Sequence, residues 1–418
     1  RLSNLLGLDG GIYGFWGIVL GSVMYSFPVA YLMLSDVLQN EDYTPYEAAA
    51  VLGLPRRSVL AVITLPYLSK PLLNVIFATF TMVITDYGVP LMVGGRYKTL
   101  PVIMYEEVIG RLDFAQGSVL GLLLLLPAVA AFLIDMFCRS RVGAGFVSRS
   151  FVVRRSPARD CLAYVILGAV SLAVVYPLLS FVQLSVASRY PRDMSFTWHN
   201  ITATLDKGAL TYLGNSVAIA VAVGLIGTAA AFICAYLTVR MPCRGGKFLH
   251  LMAIISLAVP GIVLGLAYVM FFKGSFIYGT MVVLVLVNII HFFSSPYLLM
   301  YNSLGKLNPN LEAVGATLGI SRLRLIRDVI MPQTAGTLLE MFVYFFVNSM
   351  MTISAVAFLA NAKTRPLSLM INQFEAQTLL EAAAFVSLLI LVVNLALKGC
   401  VYILKKLLQM HDSRNVYD

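Results

Sequence analysis

Side chains able to do covalent or metal chemistry are thinly spread along this sequence. Five cysteines (Cys138, Cys161, Cys234, Cys243 and Cys400) stand far apart with no CxxC pair, a spacing that fits neither a metal site nor a disulfide framework. The four histidines are scattered, and His291 lies in an apolar run, where it is either a packed core side chain or a ligand. No HExxH pair and no Walker-type Gly-rich lysine loop occurs, so the chain offers neither a metal-hydrolase centre nor its own cradle for ATP by that device. The pattern that does recur is mechanical. Thr44-Pro45-Tyr46-Glu47-Ala48-Ala49-Ala50-Val51-Leu52-Gly53 leads on to Pro66, and Asn308 through Glu312, Ala313 and Gly319 leads on to Pro332, with 13 residues from Gly to Pro in each copy.

Each copy reads as helix, turn, helix. Thr44 supplies a capping hydroxyl, Pro45 suits the first helical position, and Glu47 is placed to reach back to the cap. Asn308 and Pro309 are expected to do the same in the second copy. Gly53 and Gly319 can take the left-handed conformation that ends a helix and turns the chain. A short basic helix follows each, and Pro66 or Pro332 marks the start of the next apolar run. Small residues on such a knob let another protein's surface approach closely. One copy alone is equally readable as an ordinary joint; two at matched spacing favour a docking device.

The elements that must hold these loops are membrane spans. Of 418 residues, 59% are hydrophobic and only 12% charged, whereas a soluble domain carries roughly 25% charged residues. Nine segments are long and apolar enough to cross a bilayer: about 12–35, 60–85, 117–137, 160–185, 210–238, 248–272, 277–301, 333–359 and 380–404. Pro28, Pro127, Pro177, Pro260 and Pro296 fall within them, as membrane helices permit. Six spans separate the two loops, so both face one side and the duplication is parallel. With loop 36–59 on the cytoplasmic side, 19 basic residues fall on that side and 10 on the other, which supports this orientation and accounts for the net charge of +10 without nucleic acid. The organisation expected is all-α: residues 1–137 as three spans with loop 43–59, a basic cytoplasmic linker 138–159, and residues 160–418 as six spans with loop 306–327. The external stretch 186–209 has room for a short interfacial helix.

Glu47-Ala48-Ala49, Gly53, Ile63, Leu65 and Pro66 match the EAA loop of permease subunits of binding-protein-dependent ABC importers, in the spacing of that family. The second copy keeps the Gly319 and Pro332 frame, but Ala313 stands where the family has its glutamate, Glu312 comes one residue early, and Val329 and Met331 replace Ile and Leu. The chain therefore resembles a type I importer permease with two pseudo-symmetric transmembrane halves fused, similar to the permeases for ferric iron, thiamine or 2-aminoethylphosphonate. The run Phe346–Leu359 is similar to the phosphonate branch, and ferric-iron permeases carry related strings. The resemblance implies a bacterial inner-membrane transport subunit that is not itself an enzyme and holds no cofactor. ATP and magnesium would sit on two copies of a partner ATPase, coupled through Glu47, Ala48, Ala49, Gly53, Glu312, Ala313 and Gly319. A loaded external binding protein would dock on loops 87–116, 186–209 and 360–379, and alternating access would pass the solute.

In that family the span after each loop lines the path, which directs attention to Asp86 in the first copy and Asn348, Ser349 and Thr352 in the second. Asp86 is either a pathway carboxylate or an external helix-end group, and the polar run at 348–354 either lines the path or hydrogen-bonds between helices. A secondary transporter is the alternative; such proteins often carry inverted repeats with broken mid-membrane helices, and the parallel repeat here disfavours it. One span precedes the first loop and four lie between the linker and the second loop. Matching the halves predicts about 110 further residues and about three spans ahead of Arg1, for about twelve spans in the full chain.

Overall fold

Apolar runs punctuated by Pro, Gly and short polar turns build nearly every element. The computed structural model describes residues 13–39, 41–138, 156–241 and 245–415, so most of the expected linker 138–159 lies outside the described residues. Two compact units, 1–178 and 179–418, meet inside one long helix.

The first unit contains α1 (Phe15–Gln39), α2 (Thr44–Val51), α3 (Leu65–Thr85), α4 (Gly88–Val93), α5 (Leu100–Tyr105) and α6 (Phe114–Cys138). Helix α3 packs against both α1 and α6, burying Val75, Tyr87, Met104, Leu124 and Ala128. Helix α7 (Pro157–Ser185) runs across the division between the units.

In the second unit a two-stranded antiparallel hairpin, β1 (Ala187–Arg189) and β2 (Asp193–Phe196), pairs Ala187 with Phe196. Helix α8 (His199–Asp206) follows, so the stretch 186–209 holds the expected short helix and also a hairpin that its polar sequence did not suggest. Then come α9 (Ala209–Val239), α10 (Gly246–Ile254), α11 (Gly261–Phe272), α12 (Met281–Phe292), α13 (Ser294–Gly305), α14 (Leu311–Thr317), α15 (Ala335–Met351), α16 (Ser368–Ala376) and α17 (Leu380–Asn415). The centre of this unit is α9 against α15. A β-carbon added at Gly224 would lie 2.6 Å from the Phe342 ring, and one at Gly227 2.9 Å from the Phe345 ring. Small residues that let two backbones close up in this way are the usual packing device of membrane helices.

Among the described residues, five helices are long and apolar enough to cross a membrane, or up to nine when each bent pair counts as one span. Those nine fall on the nine segments expected from hydropathy, but several are not single straight helices. The segment 248–272 bends by 109° before Gly261, because Pro260 takes an extended conformation and cannot donate to the turn behind it. The segment 277–301 bends by 54° between Met281–Phe292 and Ser294–Gly305, and a 77° bend between Arg322–Gln333 and Ala335–Met351 falls at the start of the segment 333–359. The last of these also stops early: Thr352 turns extended, and residues 352–359 leave the helix. Pro28, Pro127 and Pro177 sit inside unbroken helices, and Pro296 lies in the first turn of α13, where a missing N–H leaves nothing unsatisfied.

The repeat runs well beyond the loops. The offset of 266 residues that relates Gly53 to Gly319 also carries α1 (Phe15–Gln39) onto Met281–Gly305, both ends included. It carries Leu65–Thr85 onto Met331–Met351, and the start of α6 onto the start of α17. Among the described residues, even the two non-glycine residues with positive φ obey it, Leu112 (57°) and Thr378 (59°). Two stretches of different sequence thus take one succession of helix ends.

Candidate functional site

Each loop is built from the same three backbone devices. The first is a helix stop. Gly53 (φ 65°) and Gly319 (φ 69°) occupy the left-handed region. Gly53 N–H donates to the Ala50 carbonyl and Leu54 N–H to Ala49; Gly319 N–H donates to Ala316 and Ile320 N–H to Gly315. This paired 5→2 and 6→1 arrangement satisfies carbonyls that a helix end leaves open. No atom lies within 4 Å of where a β-carbon would stand at either glycine, so backbone conformation, not space, selects glycine there.

The second device is an extended residue, Pro55 (ψ 150°) or Ser321 (ψ 146°), that starts the short basic helices Arg56–Val59 and Arg322–Leu325. The third is a widened π turn, Leu60–Thr64 and Ile326–Ile330, in which Leu65 N–H bonds the Leu60 carbonyl and Met331 N–H the Ile326 carbonyl. Pro66 and Pro332 supply the cause: each lacks an N–H and would crowd the carbonyl four residues back, so the preceding turn leaves α register.

The start of each loop helix differs from the sequence expectation. Thr44 is not the cap; it is the first helical residue, and its N–H and hydroxyl both donate to Asp42 Oδ1, at 3.1 and 2.8 Å. In the second copy α14 begins at Leu311, two residues beyond Pro309, and Asn308 Oδ1 accepts from Asn310 N–H at 2.9 Å. Carboxamide and carboxylate oxygens reach backbone donors two residues on, forming turns ahead of the helix.

Within the knobs, Ala49 and its counterpart Gly315 face inward, and Gly315 lies against buried Leu325. Ala48 and Ala313 face outward, while Glu47 and Glu312 lie in the first turns of their helices. Around the outward alanines stand bare apolar side chains: Val51 (88% exposed) and Leu52 in the first loop, Leu318 (68%) and Leu323 in the second. In each loop the short second helix carries arginines, Arg56 and Arg57 in the first and Arg322 and Arg324 in the second, and exposed apolar side chains of this kind suit contact with another molecule better than water.

Residues that the sequence did not single out hold the loops down. Tyr46 hydroxyl donates to buried Glu41 at 2.5 Å and lies 2.9 Å from Thr64 Oγ1, tying α2 to the π turn. In the second copy Arg240, the residue that ends α9, grips Glu312 with Nε–Oε1 2.8 Å and Nη2–Oε2 2.6 Å. Burial alone would raise the Glu312 carboxyl, but hydrogen bonding and charge from Arg240 outweigh it and hold the group below the usual carboxylate range. Arg240 and Glu312 are 72 residues apart, and a lone arginine after an apolar helix is ordinary, so the sequence carried no cue.

The expected pathway residues take the following places. Asp86 follows α3, and its two oxygens accept from Gly88 N–H (3.0 Å) and Val89 N–H (3.2 Å), capping α4. Asn348 Nδ2 donates to the Tyr344 carbonyl of its own helix at 2.8 Å. The Thr352 carbonyl accepts from Ser368 Oγ at 2.7 Å. Ser349 is buried, and its hydroxyl finds no hydrogen-bond partner among the described residues. Asn348 and Thr352 come together at the end of α15, where Thr352 N–H closes on the Asn348 carbonyl.

Helices of membrane-spanning length, joined by two helix–turn–helix loops of the same backbone design, one in each unit, define a polytopic membrane protein. The chain belongs to the family of binding-protein-dependent transport system inner membrane components, which matches residues 5–142 and 225–409. It is 26% identical over 396 residues to a ferric transport system permease protein of Actinobacillus pleuropneumoniae, covering 91% of this chain and 57% of that one. A putative ferric transport system permease protein of Haemophilus influenzae is 26% identical over 370 residues, covering 85% and 58%. The chain thus spans under three-fifths of the length of these relatives. A thiamine transport system permease protein of H. influenzae matches over 126 residues at 26% identity, 29% of this chain and 23% of that one. Among solved structures, a bacterial ABC transporter involved in the import of the acidic polysaccharide alginate has the same fold over 60% of this chain and 96% of its own, with a TM-score of 0.50 at 14% identity.

Proposed function

We propose that the protein is the permease subunit of an ATP-driven importer, and that the two loops are where a separate ATPase docks, with Glu47, Ala48, Ala49, Gly53, Glu312, Ala313 and Gly319 in that contact. The observation that carries this reading is the pair of identically built knobs, each joined through a π turn to a following span. A stiff knob on a span can transmit the closing motion of an ATPase dimer, and two of them, one per unit, suit alternating access. ATP and magnesium belong to the ATPase, and a binding protein on the opposite face of the membrane delivers the solute.

We propose ferric iron as the cargo, because three of the relatives matched over most of this chain are named as ferric transport permeases. The string Phe346–Leu359 keeps 2-aminoethylphosphonate as the second candidate. The test is reconstitution of the full-length permease with its partner ATPase and binding protein in liposomes. Iron-loaded binding protein is expected to stimulate ATP hydrolysis and iron uptake together. Stimulation by the phosphonate-loaded protein alone moves the cargo to phosphonate, and uptake driven by an ion gradient without ATP overturns the importer reading.

A further inference from the structure

Helix α9 ends in a backbone turn, Arg240 N–H closing on the Tyr236 carbonyl, which leaves the Arg240 side chain free to reach another segment. Arg240 caps it, and its guanidinium is turned away from solvent, with only 5% of the side chain exposed. Besides the two bonds to Glu312, Nη2 donates to the Asn308 carbonyl at 2.8 Å and Nη1 reaches the Leu307 carbonyl at 3.3 Å. One planar fork therefore holds both the segment leading into the loop and the first turn of α14. Lysine, a single point donor, cannot reproduce that geometry. Helix α9 also forms the seam with α15, where Gly224 and Gly227 seat Phe342 and Phe345. The second loop is thus attached twice: along the chain into α15, and sideways through Arg240 into α9. The first loop is fastened differently, with Tyr46 bonded to Glu41 and Thr64, both within 18 residues of it along the chain.

We infer that Arg240 is a positioning residue that makes the second loop and α9 move as one body, so that displacement of the knob is delivered to α9 as well as to α15. The inference rests on the reading of the loop as an ATPase-docking device. Charge alone is insufficient, because two of the four contacts are backbone carbonyls that define where α14 starts.

The experiment uses full-length permease assembled with its ATPase. Spin labels at Leu210, at the far end of α9, and at Thr317, at the end of α14, are both on exposed positions. Their separation is expected to be narrow and equal in nucleotide-free and ATP-bound complexes. Arg240→Lys is expected to broaden it or make it change with nucleotide, and to lower solute imported per ATP by about tenfold, the range of a typical coupling between sites. Glu312→Gln is expected to behave similarly, with the double variant no worse than either single one. A distance that shifts with nucleotide in the parent, or that Arg240→Lys leaves narrow, overturns the inference. So does a loss of transport that only tracks loss of protein from the membrane. Gly319→Val separates the two readings. Unchanged ATPase copurification and coupling in Gly319→Val sinks the docking assignment itself, whereas a defect there with normal Arg240→Lys sinks only the role of Arg240.

Discussion

Asp86 shows how a single carboxylate can look functional in sequence and be occupied in the fold. An acid at the end of an apolar run invites a pathway role, yet both oxygens take backbone N–H groups of α4. Asn keeps an oxygen for that cap, so Asp86→Asn should change thermal stability little, while Asp86→Ala should cost about 1 kcal/mol, as lost helix caps do. Melting of the two purified variants in detergent checks this; altered uptake kinetics in a stable Asp86→Asn protein restores the charge to the transport path. Glu312 is the opposite case, an acid whose partner lies outside its own segment. Its folded-state pKa is below the ordinary value, so the stability it contributes is fully present above the ordinary glutamate range and is lost as pH falls through the lowered value. Acidification from neutrality to about pH 5.5 should therefore leave the loop attached, with loosening only in more acid solution below the usual glutamate value. Amide exchange across residues 308–317, corrected for its intrinsic pH dependence, measures this; loosening centred near neutrality contradicts the assignment, and Glu312→Gln should show no such transition.

Among elements, the α9–α15 seam sets the sharpest steric condition. Phe345 is fully buried, so a β-carbon at Gly227, 2.9 to 3.1 Å from its ring, forces the helices apart. Gly227→Ala should destabilise by about 1–3 kcal/mol, in the range for overpacked cores. Gly399→Ala, in α17 with nothing near its β-position, should be neutral or slightly stabilising. A lower melting temperature for the first variant only is the expected result; equal melting of both denies the seam its tightness. Much at this scale was legible from residue order. Span positions follow from apolar length, and the loop turns follow from Gly53 and Gly319, because both signals are local. The bend before Gly261 and the early end of α15 at Met351 were not, since hydropathy continues through both and the interruption lies in backbone dihedrals at Pro260 and Thr352. Nor was the Arg240–Glu312 clamp, which exists only once α9 and α14 are packed. The hairpin at 187–196 was hidden for a similar reason: its register comes from pairing across a turn, and distant groups such as Asn200 Nδ2 on the Ala187 carbonyl and Glu381 accepting from Tyr190 N–H help to hold it.

At the scale of the whole molecule, two stretches with different sequences keep the same helix ends at one offset, from Phe15 and Met281 through Gly53 and Gly319 to the start of α6 and α17. A duplication preserved at that level of backbone detail, while side-chain devices such as Tyr46–Glu41 and Arg240–Glu312 diverge, points to a demand on the motion of each unit more than on its surface chemistry. The alternating access proposed above would make that demand: a pathway that changes sides only when both halves move would be stopped by a knob that fails in either unit. Gly53→Val and Gly319→Val each force a β-branched residue into the left-handed region, a strain of order 1–3 kcal/mol that the helix stop cannot absorb without rebuilding. Both proteins should remain in the membrane, since neither glycine's β-position meets any neighbour. Each single variant should lower transport by at least about tenfold, the size of a typical coupling energy, and the double variant should fall little further, because the two sites act in one step and their effects do not add. Uptake measured in vesicles containing equal amounts of permease decides the matter. If each single variant kept about half the parent rate and the double variant lost the remainder, the two loops would be working independently, and the concerted cycle proposed for this permease would have to be abandoned.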